Sequence, residues 1–181
     1  MPKYTVFEST NMGSTHYAER IFDAVAEVDI ENGTFGYLGD QEKEGSHIYK
    51  FVKGAQAGKP VVVVDQPAWT EDESKITNQR KDQFIIKAGT PFRVRVVKVN
   101  DEFGITIEGV TTASQDKMKI GAFLTIDDTT GKLVAANATT ADAVMEAKVE
   151  RKRTVGGTLV TSAHNYGYAN VMYNARITTL A

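Results

Sequence analysis

The side chains best suited to chemistry are few in this sequence and widely spaced. The three histidines, His16, His47 and His164, are scattered, and none has the i, i+4 spacing of a helical metal-binding pair. There is no cysteine, which excludes disulfides, thiolate zinc sites and cysteine nucleophiles. A scattered histidine is far more often a solvent-exposed or core-edge residue than a ligand. We therefore predict no metal site and no cofactor.

Motifs for nucleophilic catalysis and phosphate binding are incomplete. No Gly-x-Ser-x-Gly sequence marks a serine as a nucleophile, although a Ser-His-Asp triad whose members meet only in space stays open. The segment 54–60, GAQAGKP, lacks the glycine spacing and the Ser or Thr after lysine that a phosphate-binding loop needs. A connection between two strands explains this segment better.

The carboxylates offer no defined site either. Asp127 and Asp128 precede Gly131 in a segment typical of a turn, where Asp side chains bond local backbone N–H groups. The acidic run at 71–73 lacks the alternating oxygen ligands and the glycine of a calcium loop, so a solvated loop is the better interpretation. Paired acid and base carboxylates cannot be selected without geometry. We therefore predict that the protein is not an enzyme.

Three aromatic residues stand in polar surroundings. Trp69, the only tryptophan, adjoins the polar stretch 65–82, and Tyr166 and Tyr168 flank a glycine. Aromatic side chains in such places serve as interface anchors or sugar platforms. The alternative is that each packs back on one end of the protein's own barrel. All three are candidate interface residues.

Composition narrows the choice of partners. The chain of 181 residues has a net charge of only −2, without the basic excess of a protein that neutralises nucleic-acid phosphates. The longest apolar run, residues 60–64, is far too short to cross a bilayer, and the N-terminus has no apolar core of signal-peptide length. We expect no nucleic-acid or membrane partner and synthesis in the cytoplasm.

The elements that must position these residues are strands. Apolar residues alternate with polar ones around Val94, Ile105, Val149 and Ala175, and the turns between these runs carry Gly or Asn. Short helices over 21–25 and from residue 140 are weaker alternatives. The prediction is a mainly β fold, a barrel or sandwich of short antiparallel strands with little helix.

Two local features follow from the same pattern. Asn32-Gly33 between two alternating runs predicts a β-hairpin with a type I′ turn. The alternation changes phase at Val96-Val97, which predicts a β-bulge, because a slip of one residue would otherwise turn the core face to solvent. In addition, Thr70 and Glu73 have the spacing of a helix capping box.

The first 17 residues differ from the rest. They are rich in small polar residues, so we interpret 1–17 as an extended N-terminal arm and 18–181 as the β-rich domain, which would subdivide near 66–82. Tyr4, Val6 and Phe7 favour a strand, and we expect them to order by adding to the sheet edge of a partner. The alternative is an ordinary edge strand of the protein's own fold.

Several segments of the C-terminal half resemble a known family. They are AGTPFR at 88–93, KIGAFLTID at 119–127, TGKLVAA at 130–136 and YGYAN at 166–170. Together they resemble the capsid decoration (cement) and related minor head proteins of tailed bacteriophages, over residues 84–181.

The resemblance implies a non-enzymatic virion protein. Such a protein binds the major capsid protein at symmetry-related sites on the outside of the shell, often as a homo-oligomer, and stabilises the capsid. The family has no catalytic motif, so no residue here inherits a role. A second hypothesis is a virion or cell-surface binding module of the head-fibre or carbohydrate-recognition type, with Trp69, Tyr166 and Tyr168 as its platform.

Overall fold

The alternating runs do form strands. The computed structural model describes residues 4–15, 20–68, 81–155 and 170–181, and there the chain consists mainly of a closed five-stranded barrel and a six-stranded antiparallel sheet. This confirms the predicted mainly β fold. The described strands are β1 Phe7–Asn11, β2 Ile21–Val25, β3 Phe35–Gln41, β4 Ile48–Lys53, β5 Val61–Val64, β6 Phe92–Val96, β7 Glu102–Thr106, β8 Phe123–Ile126, β9 Leu133–Ala136, β10 Met145–Val155 and β11 Asn170–Leu180.

The barrel has the strand order β2-β4-β3-β5-β6, and β6 closes on β2. Four of its five pairings are antiparallel, while β2 and β4 run parallel. The sheet has the order β1-β7-β11-β10-β8-β9. Short 3₁₀ segments, such as Thr112–Lys117, connect some of the strands.

Strand β5 belongs to two hydrophobic cores. Val61 and Val63 pack in the core between the barrel and the sheet, whereas Val62 and Val64 point into the barrel. Side chains alternate between the two faces of a strand, so a strand buried on both faces must be apolar at every position. All four valines are buried, as this requires.

The change of phase at Val96-Val97 is not a β-bulge, and that prediction was wrong. The pairing of β5 with β6 is regular up to Val62 opposite Val96, where β6 ends. Val96 packs against the barrel core, whereas Val97 belongs to the core beside the sheet. The phase changes because the chain leaves one core for the other.

The hairpin predicted at Asn32-Gly33 was also wrong. A turn is present, and Gly33 has a φ of +74°, but Asn32 is not in the left-handed region that a type I′ turn requires at both positions. Strand β3 pairs with β4 and β5 rather than with β2. Between β2 and the turn, Ile30 instead bridges to Ile86. The chain therefore crosses the barrel end here.

The turn between β8 and β9 joins the sheet to the barrel. Asp127 accepts hydrogen bonds at 2.7 Å from both the backbone N–H and the hydroxyl of Thr130, which lowers the pKa of its carboxyl. The backbone N–H of Phe35 in the barrel donates to the carbonyl of Gly131 at 2.8 Å. Gly54 also lies so close to Asp128 that a Cβ would sit 2.4 Å from its carbonyl oxygen. Backbone contacts thus fix this turn on the barrel.

Candidate functional site

The most elaborate polar arrangement lies on the sheet face that points away from the barrel, here called the outer face. Glu8, Gly104, Asn174 and Arg151 are register partners in turn across β1, β7, β11 and β10. They form one row across four strands, although the chain separates the first from the last by more than a hundred residues. Their neighbours Phe103, Tyr173 and Val149 point into the core instead.

A β-bulge in β10 places Arg151 and Arg153 on the outer face. Val149 pairs with Ala175 and Arg151 pairs with Asn174, so Glu150 is an extra residue in β10. An extra residue reverses the alternation beyond it. The sequence pattern predicts Arg151 on the same face as Val149. That prediction was wrong, because the bulge moves Arg151 and Arg153 to the outer face.

Gly104 lines a hollow in the middle of the outer face, and its missing side chain leaves room for Met172. A Cβ at this position would lie 2.6 Å from the sulfur of Met172 and 3.3 Å from the Cβ of Glu8. The hollow has a volume of about 250 Å³. Its lining is almost entirely polar: Glu8, Thr10, Asn11, Glu102, Gly104, Arg151, Arg153 and Asn174.

A continuous chain of contacts surrounds the hollow. Arg153 pairs with Glu8 and donates through Nε to Oδ1 of Asn174 at 2.8 Å. The amide Nδ2 of Asn174 donates to Glu102 at 3.1 Å, and Glu102 also pairs with Arg151. Both ends of the buried Asn174 amide are therefore satisfied, as a buried polar group requires. The contacts connect edge strand β1 to β10.

Glu102 is the most buried charge of the network. Its side chain is 10% exposed and lies between Arg151 and Arg176. Nη2 of Arg176 lies 3.5 Å from Oε2 of Glu102. Burial by itself raises the pKa of this carboxyl. The hydrogen bond and charge of Arg151, the hydrogen bond from Asn174 and the charge of Arg176 outweigh burial, so the pKa of Glu102 lies below its usual value. Glu102 is thus held as a carboxylate.

A second polar cluster fixes the N-terminal segment on the seam between barrel and sheet. Glu31, at the barrel, accepts hydrogen bonds from the backbone N–H and the hydroxyl of Thr5 at 3.0 and 2.8 Å. Lys132, from the sheet, lies 3.4 Å from the same carboxylate. Further along, Ser9 donates to Asp65 at 2.7 Å, and Asp65 also pairs with Arg95. Two barrel carboxylates therefore bind one segment.

Residues 4–15, the described part of the arm predicted over 1–17, pack on the protein's own fold instead of waiting for the sheet edge of a partner. β1 pairs with β7 of the same chain, and Val6 and Phe7 are buried. The ring of Phe7 stacks on Phe103 at 5.8 Å and meets Phe35 edge-on at 6.3 Å. Phe7 and Met12 belong to the core between the barrel and the sheet. The alternative, an ordinary edge strand of the protein's own fold, is therefore the one observed. Val6 and Phe7 serve as core residues.

The other sequence candidates stand apart from the hollow or outside the described residues. Tyr4 is half-buried, and its backbone N–H donates to the carbonyl of Asp82 at 3.0 Å. Trp69, Tyr166 and Tyr168 lie outside the described residues, as does the capping box at 70–73. His47 is exposed. None of the described candidates lines the hollow.

The sequence did contain one signal for the hollow. Glycine in the interior of a strand often marks a close approach, and Gly104 stands between Phe103 and Ile105 in a predicted strand. Its neighbours on β1, β11 and β10 depend on pairings that a single sequence does not reveal.

Two kinds of site are absent from the described residues. Residues 4–15, 20–68, 81–155 and 170–181 contain no cluster of three or more His, Cys, Asp or Glu side chains arranged to hold a metal ion. Among the same residues, no helix has both the length and the apolar character needed to cross a bilayer. No family model matches the chain, and comparison with curated proteins and with solved structures gave no match either.

Proposed function

We propose that this protein is a non-enzymatic virion component that decorates and stabilises a bacteriophage capsid by binding symmetry-related sites on the shell. The observation that carries the proposal is the resemblance of residues 84–181 to capsid decoration proteins. Two of its segments, 119–127 and 130–136, contain Ile120 and the β8–β9 hairpin beside it. Ile120 is 61% exposed, more than any other large apolar side chain of the described residues.

The position of Ile120 suits a contact with a partner. It precedes β8 in a turn, with Lys119 on one side and Gly121 on the other, and the backbone of Gly121 is fixed by a hydrogen bond to the carbonyl of Val149 at 2.8 Å. An apolar side chain presented by a fixed turn loses little freedom on binding. Burying the exposed 61% of it contributes about 0.9–1.8 kcal/mol, roughly a fivefold to twentyfold change in affinity.

Other features agree with a structural role. The charges of the outer face join strands to one another, and the N-terminal segment joins the barrel to the sheet. A cement protein needs this kind of rigid body, because it must hold neighbouring capsid subunits at fixed positions. Its proposed partners are the major capsid protein and further copies of itself.

Co-sedimentation with undecorated capsids of the phage that encodes the chain tests the proposal. We expect saturable binding, with a number of copies that matches a class of symmetry-related sites. Ile120→Ser should weaken binding roughly fivefold to twentyfold. Val99→Ser is the matched control. Val99 is also an exposed, β-branched apolar residue, but it lies in another turn. Absence of binding by the unaltered protein would contradict the proposal.

A further inference from the structure

We infer that the hollow over Gly104 binds a neutral, hydroxyl-rich ligand with the dimensions of a single sugar unit. This inference goes beyond capsid decoration and does not depend on it. It rests on residues other than Trp69, Tyr166 and Tyr168, the aromatic platform expected from the sequence, which lie outside the described residues.

The size of the hollow sets the size of the ligand. Pockets for drug-sized molecules occupy about 300–1,000 Å³. The hollow is smaller, at about 250 Å³, and is open to solvent on one side. Gly104 belongs to its lining and lies next to the buried Met172, whose sulfur occupies the space that a side chain on Gly104 would need.

The charges of the lining favour a neutral ligand. The lining contains two glutamates and two arginines, so its formal charge is zero. Each of the four already faces a partner of opposite charge: Glu8 faces Arg153, and Glu102 faces Arg151. An ionic ligand would have to displace one of these partners and leave a buried or half-buried charge unpaired, which is costly. A neutral ligand leaves both pairs in place.

The lining nevertheless offers hydrogen bonds to hydroxyl groups. Arg151 has five N–H donors and, within the described residues, uses one nitrogen, Nη2, on Glu102. The carboxylate of Glu8 is engaged through Oε2 with Arg153, and a carboxylate has about four acceptor positions. A hydroxyl both donates and accepts, so it can bridge such an arginine and such a carboxylate without breaking their ion pairs. Thr10 and Asn11 add a hydroxyl and an amide at the rim.

The polar groups are also held in position before any ligand arrives. Asn174 is buried and bonded at both ends of its amide, and Glu102 is fixed by two arginines and by Asn174. Groups fixed by their neighbours lose little conformational freedom on binding. Four strands contribute to the lining, which makes the site as rigid as the sheet.

Titration calorimetry and ligand-observed NMR with a panel of neutral methyl glycosides test the inference. The variants are Arg151→Gln and Lys152→Gln, which remove the same charge from adjacent residues of β10. Arg151 lines the hollow with its side chain 58% exposed, whereas Lys152 lies over the ring of Tyr173 on the other face. We expect at least one glycoside to bind, Arg151→Gln to weaken it tenfold or more and Lys152→Gln to leave it unchanged.

Further measurements make each outcome decisive. Gly104→Ala displaces Met172, whose sulfur would lie 2.6 Å from the new Cβ, and should weaken binding, with circular dichroism checking that the sheet is retained. The inference is overturned if no neutral glycoside binds, if binding is unchanged in Arg151→Gln, or if only an acidic sugar such as glucuronate binds and salt weakens it. Capsid binding is measured separately, so the glycoside inference can fail while capsid binding is observed, and the reverse.

Discussion

At the scale of single residues, the outer face of the sheet is held together by charge rather than by apolar contact. Glu102 and Asn174 are buried there, and each is hydrogen-bonded to side chains from other strands. Removing one partner from such a buried network leaves the other unsatisfied, which costs more than the hydrogen bond itself contributes. Glu102 should therefore matter more for stability than the exposed glutamate nearby.

We predict that Glu102→Gln lowers the free energy of unfolding by about 1–3 kcal/mol, because Arg151 and Arg176 lose their shared carboxylate. The matched control is Glu150→Gln. Glu150 pairs with Arg176 at 2.8 Å on the exposed surface, where an ion pair contributes about 0–1 kcal/mol. Urea unfolding at neutral pH measures both variants. Equal losses would show that burial gives Glu102 no special weight.

The same residue predicts a dependence on pH. The pKa of Glu102 lies below its usual value of 4.5 in the folded protein, so the unfolded chain takes up the proton first as the pH falls. The stabilisation is complete above that usual value and is lost as the pH falls through the lower, folded pKa. The free energy of unfolding should fall less steeply below pH 4.5 in Glu102→Gln than in the unaltered protein. An equal fall of the free energy of unfolding with pH in both proteins would contradict the assignment of this pH dependence to Glu102.

At the scale of elements, pairing was harder to predict than the strands themselves. The alternation around Val149 and Ala175 predicted strands, and β10 and β11 confirm them, each with 11 residues. Alternation does not identify the partner of a strand. The parallel pair β2–β4 and the pairing of β1 with β7 join distant parts of the chain, and no local motif marks them. The bulge at Glu150 was missed for the same reason, since it is defined only against β11.

The N-terminal segment gives a prediction at this scale. Phe7→Ala should lower the free energy of unfolding by about 3–5 kcal/mol, because its buried ring contacts Phe35 in the barrel and Phe103 in the sheet. Thr10→Ala, at an exposed position of the same strand, should cost much less. Thermal unfolding followed by circular dichroism compares the two. A small loss in Phe7→Ala would restore the interpretation of this segment as an arm that orders only on a partner.

The turn that fixes the sheet on the barrel gives another prediction. Gly54 and Gly58 both have positive φ, at +89° and +78°, but only Gly54 has a close neighbour, the backbone of Asp128. Alanine at Gly58 should cost about 1–2 kcal/mol, the penalty of left-handed backbone for a residue with a Cβ. Alanine at Gly54 should cost clearly more, because the backbone of Asp128 must also move. Equal losses of the free energy of unfolding in the two variants, measured by chemical denaturation, would mean that the backbone of Asp128 moves away from Gly54 at little cost.

At the scale of the whole molecule, two cores are joined through shared elements. Val61 and Val63 of β5 face one core and Val62 and Val64 face the other, while the N-terminal segment binds the barrel through Glu31 and Asp65 and the sheet through β7. The mainly β architecture was predictable from alternation, because a strand's period of two is written in the sequence. The hollow was not, because Glu8, Gly104 and Arg151 meet only after four strands have paired.

We propose that this rigid β protein binds a symmetric shell. The most direct test of this proposal is electron microscopy of undecorated capsids of a phage that carries this sequence, mixed with excess protein and then freed of unbound protein. The proposal predicts added density at a single class of symmetry-related sites on the outer surface, of a volume that the barrel and sheet together fill. Capsids indistinguishable from undecorated ones at saturating protein would contradict it.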